Sequence, residues 1–462
     1  MSIGVSLPDC LRHSPVRVVF GEGTLAKLGA LAIDEGATRV LLVTDPGIVR
    51  AGHVQRALDS LREAGAEVTL FDGVCENPTT REVEAGLHIA RELAIDFIVG
   101  LGGGSSMDCA KGINFLLTNG GRMHDYWGVG KATQPMRPMI CIPTTAGTGS
   151  EAQSFALITD PDTHQKMACG DKKALARVAI LDPELIATVP PGVAAATGID
   201  AVAHAIETAG CRKRTAISRE LSVAAWRLLN GAFAWEQTEG PRGRGAEGSS
   251  GQGDLETGKN GPDGAGAFED AGTLNSGTLN SGGEAARTPS PSKGEGWGEG
   301  DRPRTDAETS ESTLARVRAS MLLGAHLAGA AIEASMLGAA HACANPLTAR
   351  FDITHGIAVG LMLPHVIRFN AETGENPYAD LCDGNPTDGS TGDRIANAEA
   401  LAQRVESMLA TNGLPRRLRD IGIPVESLGS LAQMAADQWT AQFNPRKVDS
   451  EALLDTYQAA YD

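Results

Sequence analysis

Asp96-Phe-Ile-Val-Gly-Leu-Gly-Gly-Gly-Ser-Ser-Met-Asp108 is the stretch on which the fold of the first half turns. Its apolar run, Asp96–Gly100, reads as a buried strand, and residues 105–118 carry helical periodicity. The glycines between them read as a tight turn. A turn at that place aims backbone N–H groups and the positive end of a helix dipole at one point, where an anion such as a pyrophosphate fits. A plain strand-to-helix turn would look the same, so the glycines alone do not fix a ligand.

Strand-like runs recur on both sides of this unit, at Val16–Phe20, Arg39–Thr44, Glu67–Phe71, Met139–Ile142 and Val178–Leu181. Helical periodicity lies between several of them, at 24–34, 47–64 and 79–93. Such alternation predicts a mainly parallel sheet covered by helices over residues 1–187. From residue 188 the strand signal stops, and Ala-rich helical stretches follow at 192–209, 215–235, 313–344, 355–370 and after 395. The second half is therefore expected to be all-helical.

Residues 236–312 fit neither half. The stretch 240–300 holds 18 of the 56 glycines and repeats Thr-Leu-Asn-Ser-Gly at 273–277 and 278–282. Too little of it is apolar to offset the entropy of ordering it, so 236–312 reads as a disordered low-complexity insertion at a surface loop. Its 15 acidic against 7 basic residues supply about half of the net charge of −17. That charge and a pI near 5.1 argue against nucleic acid or anionic membrane as partners and favour small molecules. The eight cysteines form no C-x-x-C pair and no apolar run reaches the length of a membrane span, so a reducing cytoplasm is the expected compartment.

Chemistry enters at Asp200-Ala-Val-Ala-His204, a carboxylate and an imidazole one helical turn apart on one face. With His341 and His355 downstream they offer one oxygen and three nitrogen ligands, a set suited to iron(II), zinc or nickel rather than calcium or magnesium. A second turn, Ile142-Pro-Thr-Thr-Ala-Gly-Thr-Gly-Ser-Glu151, places Thr144, Thr145 and Thr148 after another strand, where hydroxyls suit ribose and phosphate oxygens. Asp45 ends the strand Val40-Leu-Leu-Val-Thr-Asp and offers a carboxylate to an adenosine ribose. Its position far ahead of the glycines departs from the ordinary Rossmann order, in which the acid follows them by about 20 residues.

Taken together, these stretches resemble the iron-containing (group III) alcohol dehydrogenases. The resemblance rests on Phe20-Gly-Glu-Gly23, Val43-Thr-Asp45, Glu76-Asn-Pro78, Gly102-Gly-Gly-Ser105 with Asp108, Pro143–Glu151, Gly198-Ile-Asp-Ala-Val-Ala-His204, His341, Asn345-Pro-Leu347, His355-Gly356 and Leu363-Pro-His365. It covers the chain outside the insertion. It implies a dehydroquinate synthase-like architecture: an N-terminal α/β dinucleotide-binding domain and an all-α metal-binding domain, with metal and nicotinamide meeting between them. Asp200, His204, His341 and His355 become the metal ligands and the catalytic set, for Fe2+ or alternatively Zn2+. Asp45, Asn77, Gly103, Gly104, Ser105, Asp108, Thr144, Thr145, Thr148 and Lys166 become contacts of NAD.

The reaction so implied is NAD-linked interconversion of short primary alcohols and aldehydes, in a homodimer or higher homo-oligomer. Rival readings are a polyol dehydrogenase acting on 1,2-propanediol or glycerol, a maleylacetate reductase, and a catalytically silent metal-binding scaffold. Asn345 stands where many members carry a second His, so no proton-relay residue is assigned there. His326 and His365, in apolar helical surroundings, read as structural.

Overall fold

Strands form where short apolar runs are bounded by turn residues: β1 (Arg17–Phe20), β2 (Arg39–Val43), β3 (Glu67–Phe71), β4 (Phe97–Gly102), β5 (Gly128–Val129), β6 (Met139–Pro143), β7 (Phe155–Thr159), β8 (Lys166–Gly170) and β9 (Val178–Leu181). In this computed structural model, which describes residues 5–163, 165–235, 306–372, 376–382 and 391–462, all six runs expected from the sequence join one parallel sheet in the order β1-β9-β6-β4-β2-β3. The central strands β4 and β6 are buried along their whole length, as strands covered on both faces must be. The other three strands make a second, small sheet, in which β7 and β8 pair antiparallel and β5 lies parallel to β8.

The helices of the first half are α1 (Leu28–Asp34), α2 (Pro46–Arg50), α3 (His53–Glu63), α4 (Thr80–Glu92) and α5 (Gly104–Asn119). One face of the sheet buries Leu28, Leu58 and Leu61 of α1 and α3 against Leu42, Val99 and Ile140. The other buries Val83, Leu87, Ile113 and Leu116 of α4 and α5 against Leu41, Ile98 and Cys141, a core that continues into the second half.

After the turn Leu185–Thr188 the chain is helical: α6 (Pro191–Gly210), α7 (Ala216–Trp235), α8 (Asp306–Ala334), α9 (Ala339–Phe351), α10 (His355–Ala371), α11 (Thr391–Thr411), α12 (Leu428–Ala436) and α13 (Ser450–Tyr461). The expected insertion falls outside the described residues up to 305. Its last part does not: 306–312 belong to α8. That stretch contains no Gly or Pro, so nothing in it stops the helix from extending back from its apolar part. A second difference matters more. The continuous helix expected over 313–344 breaks at Ser335–Gly338, and the chain turns by 104° between α8 and α9.

Both halves lie in one compact unit. Their contact is close at Gly149, whose φ of +61° lies in the left-handed region and whose missing side chain leaves room for α8. A Cβ there would come within 2.6 Å of Gly329 Cα. Two glycines thus seat the threonine turn on the helical half.

Candidate active site

The metal-type cluster is assembled by three helices. Asp200 and His204 sit one turn apart on α6, both buried, as the sequence spacing requires. His341 lies in the first turn of α9 and His355 opens α10. Asp200 Oδ1 lies 3.5 Å from His204 Nε2, 3.4 Å from His341 Nε2 and 4.0 Å from His355 Nε2. Asp200, His341 and His355 each offer one ligand atom within 4.8 Å of the others. His204 is outside that tightest group, its ring stacked on His341 with centroids 4.8 Å apart.

Gly356 makes the convergence possible. A Cβ on it would meet Ala196 O at 1.9 Å, so only glycine lets the start of α10 press onto α6 and bring His355 to Asp200.

Several of these atoms have no protein partner. Asp200 Oδ1 and His341 Nε2 are fully buried, face each other, and make no hydrogen bond. An unpaired buried polar group costs about 1–3 kcal/mol, and a divalent cation between them satisfies both at once. The donor set of one carboxylate and three imidazoles fits iron or zinc.

Charges in the cluster are strongly coupled. Burial opposes ionisation of Asp200, yet the three histidines hold its carboxyl well below the usual range. Burial pushes His355 down to about 3, and the nearby Lys166 ammonium acts in the same direction. His341 also suffers desolvation, but Glu207 and Asp200 outweigh it and hold the ring up at about 9.

Glu207 is the residue that sequence reasoning passed over. It lies on the face of α6 that carries Asp200 and His204, three residues beyond the latter, and is buried. One oxygen meets His341 Nδ1 at 2.5 Å, and the other accepts from the Ala340 backbone N–H at 2.6 Å. The signal was present as the i, i+4, i+7 series of 200, 204 and 207.

The nucleotide half lies at the carboxyl ends of the parallel strands. After β3 the chain crosses back over β2 to form β4, so the sheet order reverses between β2 and β4, and ligands of such sheets bind at that crevice. Asp45 follows β2 there, and Gly103 caps α5 after β4. Asp45 Oδ1 caps α2 through Gly47 and Ile48 N–H at 2.8 and 3.2 Å, while Oδ2 accepts from Ser106 Oγ at 3.1 Å. The two turns touch: a Cβ on Gly104 would stand 2.8 Å from Thr148 Cγ2, and Gly103 faces Thr145. Thr144 Oγ1 is buried beside them without a partner. Asn77, with φ of +52°, donates its N–H to Ser105 Oγ at 3.3 Å and accepts from Lys166 Nζ at 2.8 Å.

One expected contact points elsewhere. Asp108 is turned inward, accepting from Ser150 Oγ at 2.6 Å and Leu157 N–H at 3.2 Å, with Lys111 Nζ 3.7 Å away. The fully buried Lys111 in turn donates to Ser150 O and Phe155 O. An i, i+3 pair on the inner face of α5 thus ties the threonine turn to the glycine turn, with each Asp108 oxygen already accepting a hydrogen bond. Asn345 is one turn beyond His341 and donates to Gln438 Oε1 at 3.0 Å. His326 is buried between Glu151 Oε1 and Ser14 Oγ.

Comparison with known proteins agrees with this architecture. Residues 15–183 match the family model of iron-containing alcohol dehydrogenase, and residues 307–461 match that of the C-terminal part of the Fe-containing alcohol dehydrogenase family. The chain is 29% identical over 447 residues to a 1,3-propanediol dehydrogenase of Citrobacter freundii, covering 96% of each. It is 27% identical over 432 residues to an NAD-dependent methanol dehydrogenase of Bacillus methanolicus, covering 94% of each. A crystal structure of a 1,3-propanediol oxidoreductase superposes with a TM-score of 0.76 at 28% identity, over 96% of this chain and 98% of the other. The two family matches flank the helix that carries Asp200 and take in the sheet, both turns, His341 and His355: the chain belongs to the iron-containing alcohol dehydrogenases.

Proposed function

We propose that this NAD-dependent, iron-type alcohol dehydrogenase interconverts short, unbranched primary alcohols and their aldehydes, with Asp200, His204, His341 and His355 holding the metal. One observation carries the reading. The threonine turn rests on α6, where a Cβ on Gly147 would stand 2.6 Å from Thr197 Cβ, one turn before Asp200. Nucleotide turn and metal cluster therefore border the same cleft.

When bound, iron(II) supplies Lewis acidity toward the substrate oxygen and NAD supplies the hydride acceptor. The chain supplies the rest. Asp200 stays ionised and balances the cation, Glu207 fixes the His341 ring, and Gly103, Gly104, Ser105, Thr144, Thr145 and Thr148 present N–H and hydroxyl groups to the cofactor. Asp45 meets the adenosine ribose with Oδ2, which now binds only a hydroxyl that can turn away. Lys166, held by Asn77, lies within electrostatic reach of Asp200 and His355 and offers its ammonium at the border between the two ligands.

Substrate size and charge are read from the helix segments that carry the ligands, where Ala201, Ala203, Ala205, Ala339, Ala340, Ala342 and Ala344 are buried and bring small, uncharged side chains. A dianionic substrate such as maleylacetate would meet the Lys166 ammonium already held by Asn77 and would lose most of its hydration there without compensation. A 1,2-diol is the second reading, favoured by the Asn345–Gln438 amide pair one turn from His341. The test is kcat/KM on anaerobically purified enzyme, with NAD for ethanol, butanol, 1,2-propanediol and glycerol, and with NADH for butanal beside an anionic keto acid. A tenfold lead for glycerol or the anion would overturn the reading.

We also infer a homo-oligomer in a reducing cytoplasm. Six of the eight cysteines are buried. Among the described residues, no single helix is long and apolar enough to cross a membrane.

A further inference from the structure

We propose that Glu207 is a positioning residue with two functions: it fixes which nitrogen of His341 faces the metal, and it seats the helix that carries this histidine. The proposal rests on the metal reading above.

The geometry is specific. An ionised carboxylate offers only acceptors, so a Glu207 oxygen 2.5 Å from His341 Nδ1 keeps the ring proton on Nδ1. In the neutral ring the lone pair is then on Nε2, the atom that is buried, partnerless and 3.4 Å from Asp200 Oδ1. A histidine with the opposite tautomer would point an N–H at the cation. The second Glu207 oxygen takes the Ala340 N–H, one of the orphan donors at the start of α9. Asn444 Oδ1 takes the adjacent Ala339 N–H at 3.2 Å. A Cβ on Gly338 would stand 3.1 Å from Glu207 Oε1 and 3.0 Å from Asn444 Oδ1, so the sharp bend before α9 is wrapped by these two side chains.

This explains why the break between α8 and α9 falls where it does. Glu207 travels with Asp200 and His204 on α6, so one helix face carries two ligands and the group that aims a third. Outer partners of metal-bound histidines typically change metal affinity by about 10–100-fold.

Two roles make opposite predictions. If Glu207 merely fills space, Glu207→Gln is nearly silent, because Gln has the same volume, and Glu207→Asp is worse, because it leaves a gap. If Glu207 aims His341, Gln is the worse change. Gln has one acceptor oxygen; used on the Ala340 N–H, it turns an NH2 group toward Nδ1, and the ring can answer only by moving its proton to Nε2. Asp keeps the charge and recovers part of the effect.

The test measures zinc(II) affinity of the full chain by competition with a chromophoric chelator, for wild type, Glu207→Gln, Glu207→Asp, Asn444→Ala and His355→Ala. Nitrogen-15 spectra of histidine-labelled, zinc-loaded protein report the His341 tautomer. The expected result is about 10–100-fold weaker binding in Glu207→Gln, a smaller loss in Glu207→Asp, and little change in Asn444→Ala, with the Nδ1 proton signal lost only in Glu207→Gln. Wild-type affinity in Glu207→Gln, or an equal loss in Asn444→Ala, overturns the proposal while leaving the metal site intact. Zinc bound equally by wild type and His355→Ala overturns the metal reading and this proposal together. If Glu207→Gln does not fold, the ranking of Glu207→Asp against Asn444→Ala decides, and an Asp variant no weaker than the Asn444 variant overturns the proposal.

Discussion

The metal cluster and the nucleotide turns border one cleft but are built on different principles. The cluster is made of four side chains on three helices, Asp200, His204 and His341 buried and His355 partly exposed, each with a reactive atom turned toward the others. The proposed nucleotide side is made of turns, which present backbone N–H groups and hydroxyls while the side chains mostly hold one another. Asp45 caps α2, Asn77 holds Lys166, and Asp108 is committed to Ser150 and Leu157. A site built of side chains fails when one is removed, whereas a site built of backbone degrades by degrees.

The sharpest break of that contrast is His355→Ala. Three remaining ligands hold the metal far less tightly, so metal content and turnover should both fall to background, a larger loss than the roughly 10–100-fold expected for an outer partner. The metal-free variant should keep its fold, since among the described residues the His355 ring approaches a polar partner only at Asp200, 4.0 Å away. Metal analysis with a thermal melt checks this, and full occupancy with near-normal turnover would refute the coordination set. Asp200→Ala should act alike.

Gly356→Ala comes next. The added methyl would stand 1.9 Å from Ala196 O, a backbone atom that cannot rotate away, so α10 must lift off α6. Overpacking of this kind costs about 1–3 kcal/mol, occasionally more, and it carries His355 away from Asp200. Chemical denaturation should show the stability loss and a chelator assay the weaker metal binding. An unchanged metal affinity would mean that the helix approach does not set the site.

These two positions also mark how legible the chain was. All six strands of the main sheet could be read because buried parallel strands are short apolar runs between turns. Asp200 and His204 could be read because helical spacing alone puts them on one face. Glu207 obeys the same spacing but was missed: its partner, the α9 N-terminus, exists only because a helix that looked continuous over 313–344 breaks at Gly338. The small sheet was missed because β5 is two residues long and β7 and β8 are half exposed. On the nucleotide side the turns were legible as turns, but the direction in which Asp108 faces was not, since an acid on α5 looks the same in sequence whether it points at a ligand or, as here, at Ser150 and Leu157.

A finer test concerns Asp45 itself. Its carboxylate should repel a 2′-phosphate, so wild type should prefer NAD over NADP, and Asp45→Gly should relax that ratio by about tenfold, or about 1.4 kcal/mol. Because Asp45 also caps α2, Asp45→Ala should cost about 1 kcal/mol in stability, whereas Gly at an N-cap costs only a few tenths. Comparing both variants separates cofactor choice from capping. Equal kcat/KM of wild type with both cofactors would remove Asp45 from the ribose.

The smallest effect should come from the largest change, deletion of residues 240–305. The deletion joins α7 to α8, and the packing of these helices dictates the linker. Leu229 of α7 lies against Gly324 of α8, and Phe233 and Met321 both meet Gly198, so the two helices run antiparallel. From Leu229, α7 has only a turn and a half left, while α8 continues for several turns back to Asp306. At about 1.5 Å per residue, the start of α8 overshoots the end of α7 by about 18 Å. An extended chain spans about 3.3 Å per residue, so residues 236–239 with a further four to six Gly and Ser close the gap without strain. Loop-closure entropy changes only logarithmically with length. The shortened enzyme should keep its metal affinity, its cofactor preference and kcat within about twofold, with a melting temperature at or slightly above the parent's. A loss of soluble protein, or of turnover with metal still bound, would show that 240–305 takes part in the fold or in the cleft.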